Sequence, residues 1–284
     1  MEWLFRDFKE KMLIKSIGSG DLTTLRMMIG EDRNIVNWRV DHFTPLHIGV
    51  VLNQLEVVKV LLENGAVQVT NRYGITPLMF AAREGYTDIV TALVASNKSG
   101  LDMKMPSDDA TALSLAVEKG HHAIVKILLE SGAKQLPDNE GFSPLMRAVD
   151  EARNSRNVTM IRLLLSNSTA GINYQQPISG HTALHIAGYN GFDEAVSELL
   201  QFGADPDVQN RNLFTPLLLA CQEGNANIVQ MLLEKGASTK LHNYDGALPI
   251  HQAACSDNCD ILKILLDYGC DPNTVSTNHS FFTK

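Results

Sequence analysis

The last quarter of the chain carries four side chains of the types that bind zinc, namely His251, Cys255, Cys259 and Cys270. Tetrahedral zinc requires its ligands to converge on one point. His251 and Cys255 are one turn apart on a predicted helix, but the polar run 256–258 is expected to end that helix before Cys259. The spacing therefore favours ordinary reduced cysteines over a metal site.

Two other segments contain parts of catalytic motifs. Residues 18–20, Gly-Ser-Gly, lack the Lys-Ser/Thr that follows in a phosphate-binding loop. Residues 141–144, Gly-Phe-Ser-Pro, are the nearest match to a nucleophile elbow, but Ser143 stands where a helix N-cap is expected. The sequence therefore predicts no catalytic residue, no cofactor and no bound metal.

Charged residues cluster in the segment 150–156, which contains Asp150, Glu151, Arg153 and Arg156. A catalytic site within the region 150–180 is the enzyme alternative. Mixed charges on a loop are more typical of a solvated surface. We therefore expect no enzyme activity from this segment.

A short element of the form Thr/Ser-Pro/Ala-Leu-x recurs along the chain. Its second residue is Pro45, Pro77, Ala112, Pro144, Ala183, Pro216 and Pro249, at intervals of 32, 35, 32, 39, 33 and 33 residues. A hydroxyl residue followed by Pro is typical of an N-cap and the first helical position. Each copy therefore predicts the start of a helix, although Leu248 replaces the hydroxyl residue in the last one.

A second helix is predicted after each of these first helices. Its apolar residues lie at i, i+1, i+4 and i+5, as in Ile124-Val125 with Leu128-Leu129, which is a helical and not a strand period. Glycines such as Gly74 and Gly141 stand at expected tight turns that need a positive φ. The segment 13–29 has two apolar stripes without the Thr-Pro-Leu element and predicts a degenerate first unit.

In this period, and in elements such as Thr44-Pro45-Leu46-His47 and Thr182-Ala183-Leu184-His185, the chain resembles the ankyrin-repeat family. The resemblance predicts an all-α fold of helix-pair repeats with short β-hairpin fingers, stacked as a right-handed superhelical solenoid. It also implies that His47, His185 and His251 form hydrogen bonds between finger and helix. We expect a single domain over 1–284, with a capping repeat at about 1–40, seven full repeats at 41–270 and the start of a further, incomplete repeat at 271–284.

The unequal intervals indicate three insertions, at 97–100, 154–157 and 174–177. The second should lengthen the loop between the two helices of its repeat, and the third should lengthen the finger that follows. Insertions in solenoids fall on one face and are often used for binding. Neutral drift explains them equally well, because long surface loops cost little.

In ankyrin repeats the partner usually meets the fingertips and the exposed side of the first helices, so the resemblance implies candidate contact residues at these positions. Aromatic residues there are of the type that dominates binding energy at interfaces. The alternative is that the fingertip aromatics pack on the neighbouring finger. The candidates are Phe43, Leu52, Tyr73, Arg83, Glu84, Glu118, Phe142, Asp150, Glu151, Tyr189, Phe214 and Glu223.

The charge balance is acidic, with 24 Lys and Arg against 32 Asp and Glu and a net charge of −8. Nucleic acid and anionic membrane surfaces prefer a basic protein, so neither is expected as the main partner. No apolar run approaches the ~20 residues that cross a bilayer, and the N-terminal residues lack the pattern of a secretory signal. Reduced cysteines fit a cytoplasmic location, and a nuclear one is compatible.

These features predict a non-enzymatic scaffold or adaptor that binds a protein partner through its concave fingertip and inner-helix surface. The alternative is the recognition module of a larger assembly, such as a ubiquitin-ligase substrate receptor or a regulatory or inhibitory arm. The last second helix has the apolar stripe of an internal repeat. We therefore expect a longer protein, or a partner or second copy covering that end, with Phe281 and Phe282 as a partial cap. Without such self-association the chain is expected to be a monomer.

Overall fold

The computed structural model describes residues 2–97, 100–256 and 258–276, with side chains from residue 8 onward. The chain divides into two compact units, Met1–Asn139 and Glu140–Lys284. Within the described residues the regular structure is almost entirely helical, in consecutive pairs, as predicted. In each pair the first helix is called the inner helix and the second the outer helix.

The first unit contains four helix pairs. Inner helices contact the next inner helix, as α3 (Pro45–Val51) and α5 (Pro77–Glu84) do, and outer helices contact the next outer helix, as α4 (Leu55–Glu63) and α6 (Thr87–Ser96) do. Its elements are α1 (Glu2–Ser19), α2 (Leu22–Glu31), a 3-10 turn (Arg33–Asn37), α3 (Pro45–Val51), α4 (Leu55–Glu63), α5 (Pro77–Glu84), α6 (Thr87–Ser96), α7 (Ala112–Glu118) and α8 (His122–Glu130). The inner helix of the first pair has 18 residues and begins well before the predicted apolar stripe.

The second unit also contains four helix pairs, packed in the same way. Its elements are α9 (Pro144–Ala152), α10 (Thr159–Asn167), α11 (Ala183–Tyr189), α12 (Asp193–Gln201), α13 (Pro216–Gln222), α14 (Ala226–Glu234), α15 (Pro249–Cys255) and α16 (Cys259–Asp267). The last inner helix ends before Cys259, as the polar run predicted, and Asp257 lies outside the described residues.

The inner helices begin at the predicted N-caps. The hydroxyl oxygen of Thr76 accepts a hydrogen bond from the amide of Met79 at 3.1 Å, and that of Ser143 accepts from Met146 at 3.3 Å. These bonds satisfy an amide that the helix itself leaves unpaired. Ser143 is thus an N-cap, as the sequence predicted. Leu248 has no hydroxyl to cap the helix, but Nδ1 of His251 accepts a hydrogen bond from the Leu248 amide at 3.1 Å.

The outer helices form much of the hydrophobic core, which confirms the predicted stripe. Ile124, Val125 and Leu128 of α8 are completely buried, and so are Ile228 and Leu232 of α14. The apolar pairs recur every four residues and so lie on one helix face, which can contact both its own inner helix and the neighbouring outer helices. Burial of this face therefore contributes to the stability of each unit.

The fingers, the turns that lead from one repeat to the next, differ from the prediction. In the described residues they contain no regular strand, and the one antiparallel bridge pairs Val40 with Phe43. Between these two residues Asp41 and His42 both have a positive φ, as in the two-residue turns that match strand twist. In three other fingers an Asn side chain lies inside the turn: Asn71 Oδ1, for example, accepts from the amides of Tyr73 and Ile75 at 2.9 and 3.0 Å. This side-chain acceptor accompanies one backbone hydrogen bond across the finger, from the Asn71 amide to the Ile75 carbonyl oxygen at 3.0 Å.

A glycine allows close stacking of adjacent fingers. Gly74 has a φ of +76°, and a Cβ placed on it would lie 2.0 Å from the Cδ of Pro106 in the next finger. A Cβ placed on Gly141 would likewise lie 2.3 Å from the Cδ of Pro177. Glycine is required at these positions both by the backbone conformation and by the ring of the next finger.

The insertions lie where the intervals placed them, as far as they are described. Residues 153–158 separate α9 from α10, so this loop is longer than its equivalents. Within it Arg156 adopts a positive φ and donates to the carbonyl of Gly191 in the following repeat. Of the first insertion, Lys98 and Ser99 lie outside the described residues.

The last described helix exposes part of its apolar stripe. In α16 Ile261 and Leu265 are buried, whereas Leu266 and Tyr268 beside it are 43% and 42% exposed. The proposed cap residues Phe281 and Phe282 lie outside the described residues.

Candidate functional site

His47 joins the inner helix of one repeat to the finger of the next. Its Nδ1 accepts a hydrogen bond from the amide of Thr44 at 3.2 Å, so the neutral ring carries its proton on Nε2, which donates to the carbonyl oxygen of Ile75 at 3.2 Å. Burial lowers the pKa of His47; the bond to Ile75 opposes this, and the positive charge of Arg39 adds to it. The ring is therefore a neutral structural link.

His185 makes the same connection in the second unit. Its Nδ1 accepts from the amide of Thr182 at 3.1 Å, and its Nε2 donates to the carbonyl of Phe214 at 2.9 Å. Burial lowers the pKa of His185 to about 4, against the opposing effect of the Phe214 carbonyl. His251 completes the set by binding the carbonyl of Thr274 at 2.8 Å. The predicted link between finger and helix is confirmed at all three histidines.

An apolar groove opens on the finger side of the first unit. It encloses about 280 Å³ and lies between the first two fingers and the inner helices α3 and α5. We call it the unit-1 groove; it is lined mainly by Phe43, His47, Val51, Tyr73, Ile75 and Phe80. Val51 and Tyr73 are 41% and 53% exposed, so these apolar side chains face solvent and are not needed to fill the core.

Arginines stand at the edge of the unit-1 groove. The guanidinium of Arg83 lies 5.1 Å from the centre of the Phe80 ring, and that of Arg72 lies 4.5 Å from the centre of the Tyr73 ring. Arg83 also pairs with Glu84 at 2.9 Å. The aromatic faces therefore hold two cations beside an apolar cavity.

The predicted contact residues of the first unit divide between this groove and its surroundings. Phe43, Tyr73 and Arg83 line the groove together. Leu52, at the end of α3, is 46% exposed next to the groove residue Val51. Glu118 lies in a later repeat, outside the groove lining, and pairs with Lys119 at 2.8 Å.

In the second unit the predicted aromatic residues occupy different environments. Tyr189 is 54% exposed at the end of α11. Phe142 is half-buried, with the guanidinium of Arg147 4.4 Å from its ring centre, and Phe214 is half-buried in its finger. The first is thus free to contact a partner, whereas the other two also take part in packing.

The predicted acidic residues of the second unit lie at the ends of inner helices. Asp150 is 3.5 Å from the guanidinium of Arg153, and the amide of Asn190 approaches it at the same distance. Glu151 is exposed, and so is Glu223, which accepts from Gln222 at 3.1 Å. These are ordinary surface contacts of weak energy.

A comparison with protein families identifies the architecture. The family model for "Ankyrin repeats (3 copies)" matches residues 13–106, 78–176, 143–210 and 184–276, which together extend over most of the chain. The chain belongs to the ankyrin-repeat family. Its repeats are therefore a protein-interaction module, which is what the resemblance implied.

Relatives of known identity carry the same repeats. The B-cell lymphoma 3 protein homolog of Mus musculus is 34% identical over 182 residues, covering 62% of this chain and 39% of that protein. The nuclear factor NF-kappa-B p105 subunit of Gallus gallus is 32% identical over 189 residues, covering 65% of this chain and 18% of that protein. The chain thus matches less than half the length of these relatives.

A solved structure shows the same fold. The crystal structure of the ankyrin repeat domain of Bcl-3, described as a unique member of the IkappaB protein family, superposes with a TM-score of 0.70 at 28% identity. The match covers 80% of this chain and all of that domain. The all-α ankyrin fold is therefore shown both by sequence and by structure.

The ankyrin fingers depend on residues that the sequence reasoning did not identify. Asn71, Asn210 and Asn243 are each buried and accept two backbone amides inside their finger. A signal was present, since each Asn precedes the positive-φ residue of its turn by three positions. Phe80, on the inner helix α5, was also missed as a groove residue.

Among the described residues, no group of three or more His, Cys, Asp or Glu side chains is arranged to hold a metal ion. All four cysteines are free. Burial raises the pKa of the Cys221 thiol far above its usual range, and Cys255 and Cys259 are exposed on the last ankyrin repeat.

In the part of the chain that the structure describes, none of the helices combines the length and the apolar character that a membrane span needs.

Proposed function

We propose that this ankyrin-repeat chain is a non-enzymatic adaptor that recognises a protein partner through its fingers and inner helices, with the unit-1 groove as the principal contact. The observation that carries this proposal is the groove itself. Its walls expose Val51 and Tyr73, although the packing of the repeats does not require apolar side chains there. An exposed apolar cavity with aromatic walls is typical of an interface anchor site.

The length of the relatives supports a recognition role within a larger assembly. Both match this chain over less than half of their own sequence. We propose that the chain supplies binding, while an effector function belongs to another domain or another protein. A substrate receptor of a ubiquitin ligase and a regulatory or inhibitory arm are both of this type.

We also propose a cytoplasmic or nuclear location and a monomeric state. The free thiols of Cys255 and Cys259 are exposed, which fits a reducing compartment. Fractionation of cells that express the chain, followed by light scattering on the purified protein, tests both points. Recovery with the secretory organelles, or a dimer at low concentration, contradicts them.

The binding proposal is tested by two matched variants. Val51→Ser alters a groove residue that is 41% exposed, whereas Val67→Ser alters a valine that is 45% exposed and does not line the groove. Proteins captured from lysate by the wild type should be lost with Val51→Ser and retained with Val67→Ser, at equal melting temperatures. Equal capture by both variants would place the partner elsewhere on the chain.

A further inference from the structure

We infer that the unit-1 groove selects an acidic protein segment in which Asp or Glu residues flank a large apolar side chain. This inference rests on the proposed function, and it specifies the chemistry of the partner. It is carried by the juxtaposition of an apolar cavity with the guanidinium groups of Arg72 and Arg83.

The cavity sets the size of the anchor. Ligand pockets for whole small molecules have volumes of about 300–1,000 Å³. The unit-1 groove encloses about 280 Å³, and Val51, Ile75 and Pro77 contribute aliphatic surface to it. A space of this size and character fits one or two large apolar side chains of a peptide.

The groove also lacks acidic side chains in its lining. None of its lining residues is an Asp or Glu, and its histidine, His47, has a lowered pKa because it is buried and close to Arg39. The one carboxylate paired with a groove arginine is that of Glu84, beside Arg83. The lining thus contains one arginine and no carboxylate, in a chain whose net charge is −8.

Arg72 is available to bind a carboxylate, whereas Arg83 already pairs with Glu84. Arg72 forms no ion pair with any residue that the structure describes. The guanidinium of Arg72 lies 4.5 Å from the centre of the Tyr73 ring and donates a hydrogen bond to the Tyr73 hydroxyl, so the tyrosine helps to hold it at the groove. A guanidinium held in this way can bind a carboxylate through two parallel hydrogen bonds.

Single-stranded nucleic acid also uses aromatic and cationic side chains. The aliphatic side chains of Val51 and Ile75 and the ring of Pro77 suit an apolar side chain of a peptide. A nucleic-acid base instead requires a flat aromatic surface on which to stack. The overall charge of −8 further opposes a polyanion with one charge per nucleotide. We therefore infer that the groove binds a peptide, and the experiment below includes a nucleic acid as a competing ligand.

The experiment is a selection from a random peptide display library on the intact chain, followed by affinity measurement with the enriched peptides. Enriched peptides should be acidic and contain Phe, Trp, Leu or Met. Replacing their Asp and Glu by Asn and Gln should weaken binding about tenfold or more, and Arg72→Gln should weaken it about fivefold. Affinity should also fall as salt is raised.

The matched control is Arg211→Gln. Arg211 follows Asn210 in its finger as Arg72 follows Asn71, and it is exposed in the second unit. This variant should bind the peptides as the wild type does. Equal weakening by Arg211→Gln and Arg72→Gln would show a general charge effect and overturn the inference.

Two further results separate this inference from the proposed function. Enriched peptides that are neutral or basic but are lost with Val51→Ser would overturn the acidic specificity and leave the groove as a binding site. If no peptide is enriched, or none depends on Val51, both the inference and the groove proposal fail. Tighter binding of oligothymidylate than of any peptide, abolished by Arg72→Gln, would assign the groove to nucleic acid instead.

Discussion

The Nε2 atom of His185 lies 2.9 Å from the carbonyl oxygen of Phe214, so the side chain of one repeat is bonded to the backbone of the finger in the next. Only a neutral ring can make this bond and also accept a hydrogen bond at Nδ1 from the Thr182 amide. Protonation of the imidazole would turn that acceptor into a donor. The stability of the second unit is therefore coupled to pH.

We predict that acidification destabilises the fold through His185. Its pKa is about 4 in the folded chain and about 6.5 when unfolded, so the unfolded state takes up the proton first and stability falls as pH drops from 6.5 to 4. The contribution lost over that window is about 3 kcal/mol at most. Urea unfolding between pH 7 and pH 4 should show that the free energy of unfolding decreases less steeply with falling pH in His185→Gln than in the wild type. The control is His242→Gln, which alters an exposed ring. A pH dependence of the free energy of unfolding that matches the wild type in both variants contradicts the prediction.

The outer-helix core should respond strongly to truncation. Leu128 and Leu232 are completely buried, so Leu128→Ala or Leu232→Ala should lower the free energy of unfolding by about 2–5 kcal/mol through loss of contacts and a residual cavity. Leu266→Ala, at a position 43% exposed, should cost much less. Denaturant unfolding midpoints measure the difference in the free energy of unfolding between the variants, provided that its dependence on denaturant concentration is the same. Similar losses at the three positions would mean that the exposed end of α16 is covered in solution.

Two glycines should give effects of opposite sign. Gly74→Ala combines a positive φ with a contact to Pro106, so it should destabilise the chain by more than about 1 kcal/mol. Gly30→Ala adds a methyl group within α2, where no atom lies within 4 Å, and should stabilise the helix by up to about 1 kcal/mol. The melting temperatures of both variants test these two expectations. A neutral Gly74→Ala would show that the finger stack can shift to accommodate a side chain.

The hydroxyl of Ser143 should act only as a helix cap. Ser143→Ala removes the acceptor of the Met146 amide and should cost about 1 kcal/mol, whereas Ser143→Thr restores the acceptor used in other repeats. Ser166→Ala, on an exposed position of α10, should change stability by a few tenths of a kcal/mol at most. Loss of partner binding without loss of stability in Ser143→Ala would point to a role beyond capping.

Phe142 and Tyr189 should separate packing from binding. Tyr189→Ala should leave the melting temperature unchanged, because its ring is 54% exposed, and should weaken a partner that reaches it by about 1–2 kcal/mol. Phe142→Ala removes the ring beneath Arg147 and should lower the melting temperature. Affinity and melting curves are measured on the same samples. A fall in melting temperature with Tyr189→Ala would reassign it to the fold.

The features that could be predicted from the sequence are those that depend on neighbours along the chain. An N-cap such as Thr76 acts on an amide three residues away, and the stripe of α8 repeats within one helix. The histidine links were available from the family pattern, because each repeat makes the same contact with the next. Local rules and a regular period thus determined the architecture of the repeats.

The unit-1 groove could not be predicted in the same way. It depends on Tyr73 in a finger and Phe80 on a helix facing Phe43 of the preceding finger, and on arginines whose positions are set by the aromatic rings. The closure of the finger at Asn71 likewise depends on the orientation of its carboxamide, which accepts two backbone amides. These are choices of side-chain orientation between repeats, on which the spacing of motifs carries no information.

The bonds that connect repeats also constrain how a gene for such a chain can change. His47 reaches forward 28 residues to Ile75, His185 reaches forward 29 to Phe214, and Asn258 reaches back 34 to Gly224. Because donor and acceptor recur with the same period, excision of residues 183–215 would join Thr182 to Pro216 and recreate a Thr-Pro-Leu helix start. A deletion or duplication of one whole period keeps the partners in register, whereas a deletion of half a period separates the donor and acceptor of each bond that spans the deleted segment.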